Sequence, residues 1–220
     1  PAGCGKELAA RYIHANSARA AAPFVTVNSA SIEPDRMEEV LFGIESPERG
    51  VEMGLLEQAN GGVIYFDEVA EMPLGTQSKI LRVLVDQSFQ RVGGAEQVHV
   101  DLRVISSSNR DLQSAIVDGA LRQELYHRLN VVPIQVPSLE DRREDIPLLA
   151  EHFIAMLNRE QGLALRTLAD DAKALLQTMI WPGNVRQLKN VMERVLILGE
   201  GSDPITAKEL PSVEEAGAEE

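Results

Sequence analysis

Residues 63–68 have the sequence Val63-Ile64-Tyr65-Phe66-Asp67-Glu68. Four large apolar residues in succession are typical of a strand that is buried on both faces, as the strands of parallel sheets are. Two carboxylates follow at the carboxyl end of this predicted strand. Open α/β sheets place their ligands at that edge, so the stretch predicts both a parallel sheet and a candidate site.

The chain opens with a glycine-containing loop, Pro1-Ala2-Gly3-Cys4-Gly5-Lys6-Glu7. This is most of a phosphate-binding loop and lacks only a glycine just before the first residue. Gly3 and Gly5 allow a tight turn that points N–H groups at phosphates, and Lys6 and the start of the following helix add positive charge. A strand normally feeds such a loop, so we expect the chain to be a fragment cut inside its own nucleotide site.

Length and composition indicate an ordinary globular protein. The 220 residues suffice for one α/β domain with a small appendage, and 44% hydrophobic and 25% charged residues are typical values. The sequence has no signal peptide and no apolar run long enough to span a bilayer. Its single cysteine excludes an internal disulfide and fits a reducing, cytoplasmic compartment.

The net charge of −13 bears on the possible partners. It argues that this segment does not bind nucleic acid by itself, because neutralising phosphates needs a basic face. Much of the acidic excess lies at the end of the chain, after Lys208, where we expect a solvated linker. The four histidines show no metal-ligand spacing with one another or with Cys4, so we do not expect a structural zinc site.

Apolar periodicity predicts strands that alternate with helices, which indicates a parallel sheet covered on both faces. We expect strands at 24–27, 63–66 and 102–105, and a hairpin at 91–100 around Gly93-Gly94. We expect helices at 6–16, 34–42 and from residue 73 onward. Leu8, Tyr12 and Ile13 are expected to face inward on the first helix, and Ile80, Leu81, Leu84 and Val85 are expected to share one side of the third.

Strand signals stop near Arg142, and amphipathic helices follow at 146–157, 169–179 and 185–198. We therefore predict an α/β fold in which a parallel sheet flanked by helices is followed by a small helical lid. The expected divisions are a nucleotide-binding core at 1–140 without its first strand, a lid at 141–211 and an acidic linker at 212–220.

Several polar residues at the predicted sheet edge could carry chemistry. Asp67 could hold a magnesium ion, and Glu68 could act as general base toward an attacking water. Asn28 ends the neighbouring strand and could orient Glu68, although a strand-terminal turn residue is an equally good interpretation. Asn109 follows the next strand and could touch the water or a phosphate, or could simply form a turn.

Three arginines are further candidates. Arg122 and Arg128 flank a short helical segment and could stabilise the charge that develops in phosphoryl transfer, often on a neighbouring subunit. Arginines on a helix can equally be solvated. Arg186 begins the last predicted helix and could close on a nucleotide. The residues predicted to bind ATP are Gly3, Cys4, Gly5, Lys6, Glu7, Asp67 and Arg186.

The order of motifs resembles the central AAA+ domain of bacterial enhancer-binding proteins, the NtrC-like activators of the sigma-54 RNA polymerase. The motifs that carry this resemblance are Gly3-Cys4-Gly5-Lys6-Glu7, Asn28, Leu41-Phe42-Gly43, Glu57-Gln58-Ala59-Asn60-Gly61-Gly62, Asp67-Glu68, Leu81-Arg82-Val83-Leu84, Arg91-Val92-Gly93-Gly94, Arg128-Leu129-Asn130 and Trp181-Pro182-Gly183-Asn184-Val185-Arg186-Gln187-Leu188.

The resemblance implies a P-loop NTPase fold that binds ATP and Mg²⁺. A generic phosphate loop has Ser or Thr after its lysine, whereas this family has Glu, as at Glu7. The resemblance further implies that Asn109 is sensor I, that Arg122 and Arg128 are arginine fingers acting on a neighbouring subunit, and that Arg186 is sensor II. The resemblance also implies that Asn28 couples Glu68 to the remodelling loops. It implies, finally, that the chain associates with copies of itself as a ring or dimer.

One departure from the family concerns residues 44–55. There the family carries a Gly-Ala-Phe-Thr-Gly-Ala loop that contacts the sigma factor, and this chain has a shorter, acidic segment without the Phe and Thr. Loss of that apolar anchor makes a sigma-54 contact doubtful. The combination resembles the NtrX group of nitrogen-related response regulators. That likeness implies a receiver domain answering to an NtrY-like sensor kinase and a helix-turn-helix that binds DNA, neither of which lies in this sequence.

Two function classes remain open. In one, the chain is the ATP-binding core of a two-component transcriptional regulator and serves nucleotide-dependent oligomerisation, with possible ATP hydrolysis. In the other, it is an ATPase that remodels the sigma-54 polymerase. The altered 44–55 loop favours the first class, and the retained hydrolytic residues keep slow ATPase activity plausible.

Overall fold

The computed structural model describes residues 1–199, 201 and 203–211. The chain divides into two compact units, of which one is Lys6–Ile134 and the other joins Pro1–Gly5 to the residues from Gln135 onward. The predicted acidic linker at 212–220 lies outside the described residues. Within the described part of the chain, no helix has both the length and the apolar character that crossing a membrane requires.

A parallel sheet lies at the centre of the first unit. Its strands are β1 (Phe24–Asn28), β4 (Val63–Asp67) and β7 (Arg103–Ser106), with β4 in the middle. In the register Phe24 pairs with Val63, and Asn28 pairs with Asp67. The side chains of residues 63–66 are all buried, which confirms the parallel-sheet prediction. Because all three strands run the same way, their carboxyl ends meet at one edge.

The helices of the first unit surround this sheet. They are α1 (Lys6–Ala15), α2 (Met37–Phe42), α3 (Leu55–Gln58), α4 (Leu74–Asp86), α5 (Leu112–Val117) and α6 (Gln123–Leu129). A single apolar core joins residues of these helices to the strands, among them Leu41, Leu56, Ile64 and Leu125. The α/β prediction is therefore confirmed for this unit.

Two predicted helix faces are wrong. On α1, Leu8 and Tyr12 are 72% and 71% exposed and Ile13 is exposed as well, whereas Ala10 is buried. The small alanine side lets the helix backbone approach the sheet closely, which the apolar spacing of the larger residues did not indicate. On α4 the buried stripe includes Val83 in place of Val85, which is 60% exposed, so the predicted stripe was rotated about the helix axis.

Two antiparallel hairpins belong to the first unit. One pairs β2 (Gly43–Ser46) with β3 (Gly50–Met53), and the other pairs β5 (Ser88–Gln90) with β6 (Gln97–His99). The second contains the predicted turn at Gly93-Gly94, but its first strand lies wholly before the predicted range of 91–100. The hairpins are joined to each other, because Glu45 N donates to Val92 O at 2.9 Å and Val92 N donates to Gly43 O at 3.0 Å.

The second unit is helical in its described residues. Its helices are α7 (Ile146–Gln161), α8 (Asp170–Thr178) and α9 (Asn184–Leu198), which confirms the three predicted helices. They enclose a separate apolar core that contains Trp181, and the Trp181 indole N–H donates to Leu176 O at 3.0 Å.

Candidate functional site

Asp67 lies at the carboxyl end of β4, where neighbouring side chains fix its orientation. The Ser107 hydroxyl donates to Asp67 Oδ1 at 2.5 Å, and Tyr65 Oη lies 3.0 Å from the same oxygen and 2.9 Å from Ser107 Oγ. Burial raises the pKa of Tyr65 well above its ordinary value, and the nearby Asp67 carboxylate raises it further. Tyr65 is therefore a neutral donor, and one carboxylate oxygen of Asp67 is occupied by hydroxyl groups.

Glu68 follows in a left-handed backbone conformation with φ +55°. This conformation costs a non-glycine residue on the order of 1 kcal/mol, and such outliers cluster at functional sites. Glu68 Oε2 accepts a hydrogen bond from the Asn109 backbone N–H at 2.9 Å. The turn therefore aims the Glu68 carboxylate along the sheet edge toward the residues that follow β7.

Lys6, Glu68 and Asn109 form one polar cluster. Lys6 Nζ lies 3.7 Å from Glu68 Oε1 and donates a hydrogen bond to Asn109 Oδ1. The side chains of Lys6 and Glu68 are only 16% and 14% exposed. Three residues predicted from motifs that are up to 103 positions apart are thus in direct contact at the sheet edge.

The loop residues adopt conformations that suit glycine. Gly3 has φ +68° and Gly5 has φ +99°, and a Cβ added at Gly3 would lie 2.3 Å from the Gly183 carbonyl oxygen. Cys4 is buried, and its thiol lies 2.9 Å from the Pro1 carbonyl oxygen. The predicted tight turn is present, and a side chain at Gly3 would not fit.

Glu7 and Asn28 have local contacts. Glu7 is exposed and pairs with Arg11 one turn later on α1, at 2.7 Å. Asn28 Oδ1 accepts a hydrogen bond from the Ala30 backbone N–H at 3.1 Å. That bond is the one expected of a turn residue, and the interactions found for the Glu68 side chain are those with Lys6 and Asn109.

The predicted arginine fingers both contact α4. Arg122 Nε donates to Leu74 O at 2.9 Å, and Arg128 Nη2 donates to Leu84 O at 2.8 Å. Both side chains are exposed, and within the described part of the chain neither forms an ion pair. The two arginines therefore brace opposite ends of α4 while remaining accessible.

Arg186 lies in the first turn of α9, in the helical unit. Its side chain is exposed, and its backbone N–H donates to Gly3 O at 3.2 Å. Arg186 and the glycine loop are therefore linked through the backbone.

Four contributing residues were not predicted as site residues. The sequence indicates Tyr65 only as an apolar strand residue, Ser107 as a polar group that closes a strand, and Asn184 as part of a motif. Asn184 Nδ2 donates to Ala2 O at 2.9 Å, and Arg142 Nη2 donates to Cys4 O at 2.8 Å. No sequence spacing signals hydrogen bonds to backbone carbonyls that are 182 and 138 residues away.

Comparison with known proteins identifies the family of this chain. Residues 1–135 match the Sigma-54 interaction domain, and residues 140–220 match the AAA+ ATPase lid domain. The chain is 54% identical to the nitrogen assimilation regulatory protein NtrX of Azorhizobium caulinodans, over 96% of this chain and 47% of that protein. It spans about half the length of the curated relatives it matches.

Solved structures give the same result. The chain is similar to NtrX from Brucella abortus in complex with ADP, with TM-score 0.90 and 54% identity over 99% of this chain and 48% of that one. The complex of that protein with ATP has TM-score 0.88 and 53% identity over 97% and 50% of the two chains. The predicted AAA+ fold and the resemblance stated from the motifs are confirmed. The chain therefore belongs to the Sigma-54 interaction domain family and continues into an AAA+ lid domain.

Proposed function

We propose that this chain is the ATP-binding AAA+ core of an NtrX-like two-component transcriptional regulator, in which nucleotide binding controls self-association. The observation that carries the proposal is the contact cluster of Lys6, Glu68 and Asn109 beside an oriented Asp67. A cation, an acid and an amide in contact at the carboxyl edge of a parallel sheet match the needs of a nucleoside triphosphate. The ADP and ATP complexes of the Brucella abortus relative support it.

The glycine loop fits phosphates. Among the described residues, the backbone N–H groups of Gly3, Cys4 and Gly5 donate no hydrogen bond, so all three are available to a ligand. Anions are the natural acceptors for such a row of amides. We propose that the loop and Lys6 hold the phosphates, with Glu7 and the exposed Arg186 completing the ATP site.

A magnesium ion fits Asp67. Ser107 and Tyr65 occupy its Oδ1, while Oδ2 accepts no hydrogen bond from the described residues. Mg²⁺ in nucleotide sites is usually held through one or two carboxylates and the phosphates themselves, and not by an all-protein cage. When bound, the ion would neutralise charge on the phosphates. Tyr65 and Ser107 would keep the Asp67 carboxylate correctly oriented.

For ATP hydrolysis we propose Glu68 as general base. Its carboxylate can accept the proton of an attacking water, and the Asn109 backbone N–H holds the carboxylate in place. The Asn109 side chain would sense the γ-phosphate once Lys6 turns to the nucleotide. Asn28 could join Glu68 only by giving up its bond to Ala30.

We further propose that the active unit is a ring or dimer in which Arg122 and Arg128 reach a neighbour's γ-phosphate. Their exposure and the lack of ion pairs on them in the described residues support this role. Mixing Glu68→Ala subunits with Arg128→Ala subunits tests it, because each parent lacks a different half of a shared site. Recovery of hydrolysis in the mixture is expected, and its absence counts against shared sites.

The 44–55 segment supports the choice of function class. It forms the short β2–β3 hairpin, whose tip contains Pro47, Glu48 and Arg49 and no aromatic residue. Without an apolar anchor at the tip we propose that a sigma-54 contact is weak or absent. The alternative is an ATPase that remodels the sigma-54 polymerase, which the family assignment favours. Strict dependence of a target promoter on sigma-54, with direct sigma-factor contact, would establish that alternative.

The wider organisation is also a proposal. We divide the chain into a core at 1–140, a lid at 141–211 and a linker at 212–220. The likeness to NtrX supports a cytoplasmic protein that carries a receiver domain, answers to an NtrY-like sensor kinase and binds DNA through a helix-turn-helix.

Titration of ATP against the protein expressed from its complete gene tests the core proposal. Lys6→Ala should lower ATP affinity by about 10-fold or more, since charge-assisted hydrogen bonds contribute about 1.5–3 kcal/mol. Lys79→Ala is the matched control, because Lys79 pairs with Glu38 at the surface. Equal affinity in the wild type and in Lys6→Ala would refute the site.

A further inference from the structure

Three successive carbonyl groups of the glycine loop accept hydrogen bonds from residues in the helical part of the same unit. Asn184 Nδ2 donates to Ala2 O at 2.9 Å, the Arg186 backbone N–H donates to Gly3 O at 3.2 Å, and Arg142 Nη2 donates to Cys4 O at 2.8 Å. Donors and acceptors all lie in the same compact unit. The loop is therefore held along one side by residues that follow it by more than 130 positions.

Asn184 is firmly placed. It is 3% exposed and has a left-handed backbone with φ +52°. Its Oδ1 accepts a hydrogen bond from the Leu139 backbone N–H at 2.7 Å, and Leu139 is fully buried. The same amide thus joins three chain segments, namely the loop, the start of α9 and the segment before α7.

Arg142 is placed in a similar way. Its backbone departs from helical geometry, with φ −139° and ψ 53°, within the helical turn at Glu140–Asp145. Its Nε is buried and has no hydrogen-bond partner in the described residues. The guanidinium is therefore held by the Cys4 carbonyl, and it forms no ion pair with the residues that the structure describes.

Holding the carbonyls also sets the direction of the amides. The chain has no cis peptide bonds among its described residues, so the C=O and N–H of each planar unit point in opposite directions. The carbonyl groups of residues 2–4 point toward their donors on Asn184, Arg186 and Arg142. The N–H groups of Gly3, Cys4 and Gly5 therefore point away from those donors. Those are the three N–H groups that donate no hydrogen bond in the described part of the chain.

We infer that Asn184 and Arg142 are positioning residues that preorganise the loop for the β-phosphate of a nucleotide. Neither side chain needs to touch the ligand, since each acts through a loop carbonyl. The inference rests on the proposed nucleotide-binding function. It adds that the helical unit sets the phosphate affinity of the loop, so substitutions in the turn before α9 or at Arg142 alter nucleotide affinity at a distance.

Two substitutions test this role. Asn184→Asp keeps the acceptor for Leu139 N–H and tolerates the left-handed backbone, yet places a carboxylate against Ala2 O where a donor stood. Arg142→Met keeps the apolar stem and removes the donor to Cys4 O. Trp181→Phe is the matched control, because it removes one buried hydrogen bond from the same unit, to Leu176 O, without touching the loop.

The readout is the ratio of affinities for fluorescent ADP and AMP, measured with the protein expressed from its complete gene. A misdirected loop loses contact with the β-phosphate, which AMP lacks. Asn184→Asp and Arg142→Met should each weaken ADP binding by about three- to tenfold, the range for one lost hydrogen bond. AMP binding should change less, and Trp181→Phe should leave the ADP-to-AMP ratio at its wild-type value.

Unchanged ADP affinity in both variants, or an equal loss for ADP and AMP, would overturn the positioning role while leaving the nucleotide site intact. If Asn184→Asp fails to fold, Arg142→Met alone decides the question. Failure of the wild-type protein to bind ADP and ATP would instead refute the proposed function itself.

Discussion

Two clusters of charged residues in the first unit differ in how they are built. At the sheet edge, Lys6 lies 3.7 Å from Glu68 and both are bonded to Asn109, with side chains 16% and 14% exposed. Between the hairpins, Arg91 makes a two-pronged pair with Glu57, at 2.8 and 2.9 Å, and reaches Glu45 at 3.2 Å. In the first cluster the charged atoms are too far apart for a direct hydrogen bond, whereas in the second the arginine and the glutamate share two short hydrogen bonds.

Arg91 stabilises the region where the hairpins meet. Its side chain is only 10% exposed, and the hydrogen bond to Glu57 raises the pKa of the guanidinium above its usual value. Glu45 lies on β2 and Glu57 on α3, so one guanidinium joins both to the turn between β5 and β6. A buried pair of this kind leaves an uncompensated charge when one partner is lost.

We propose from this difference that the charges at the sheet edge bind a ligand and that the charges between the hairpins stabilise the fold. Under the proposed function, Lys6 can exchange its contacts with the oxygens of Glu68 and Asn109 for contacts with phosphate oxygens, which are acceptors of the same kind. Arg91 cannot exchange its partners in this way, because Nε and Nη2 of its guanidinium donate to Glu57 and Nη1 donates to Glu45. Substitutions at the sheet edge should therefore change function, and substitutions between the hairpins should change stability.

The largest expected effect is on hydrolysis. Glu68→Gln should lower the rate of phosphate release from ATP by about 10²- to 10⁴-fold, because it removes the general base and leaves the other contacts of the edge in place. ATP affinity should stay near the wild-type value. A phosphate-release assay with a parallel binding titration checks both. Hydrolysis that persists at the wild-type rate would remove Glu68 from the mechanism.

The next effect is on stability. Arg91→Met should lower the free energy of unfolding by about 3 kcal/mol, because it leaves Glu57, whose side chain is only 11% exposed, without its partner. Urea unfolding followed by circular dichroism measures the change. Arg49→Met is the control, since Arg49 pairs with Glu52 and Glu39 on a surface where its side chain is 51% exposed, and a change within about 1 kcal/mol is expected. If both variants lost a comparable free energy of unfolding, the Arg91 cluster would stabilise the fold no more than a surface ion pair does.

A smaller effect is expected beside the sheet edge. Tyr65→Phe removes the hydroxyl that lies against Asp67 and Ser107 and should lower the free energy of unfolding by about 1 kcal/mol. Because Tyr65 helps to orient the proposed magnesium ligand, the Mg²⁺ concentration needed for half-maximal ATP binding should rise. A variant with wild-type Mg²⁺ dependence would confine Tyr65 to a packing role.

The smallest effect concerns an ion pair of the helical unit. Arg166 is buried and forms an ion pair with Glu209 at 2.7 Å, and the adjacent guanidinium lowers the pKa of the Glu209 carboxyl. A lowered folded-state pKa contributes stability that is present above the ordinary carboxyl pKa and is lost as the pH falls through the folded value. Glu209 is 31% exposed, so solvent screening limits the contribution to about 1 kcal/mol or less. Glu209→Gln should reduce the loss in the free energy of unfolding as the pH falls below the ordinary carboxyl pKa. An unchanged pH dependence of the free energy of unfolding would contradict this assignment.

The sheet and the helices could be predicted from sequence because apolar periodicity reports burial. The run at 63–66 gave the central strand, and the amphipathic stretches gave α7, α8 and α9. The same signal failed on α1, where a small residue, Ala10, packs inward and Leu8 and Tyr12 are exposed. Periodicity records large apolar residues and misses faces that are made of alanine.

The site was partly predictable for a related reason. The motifs identified Lys6, Glu68 and Asn109 because their residue types and order carry chemistry. They did not identify the Arg91–Glu57 pair or the bonds from Asn184 and Arg142 to the loop carbonyls. Those contacts join residues 34 to 182 positions apart, and backbone carbonyls have no side-chain identity that a sequence could show.

The most direct test of the contrast between the two clusters is the rise in unfolding temperature that saturating ADP gives. A ligand that binds only the folded state raises that temperature, and the rise grows with the logarithm of the ligand concentration divided by Kd. Arg91→Met should unfold at a lower temperature and keep the wild-type rise with ADP, whereas Lys6→Met should unfold near the wild-type temperature and lose most of the rise. A full ADP-induced rise in Lys6→Met, or its loss in Arg91→Met, would contradict the assignment of the sheet edge to the ligand and of the hairpin cluster to the fold.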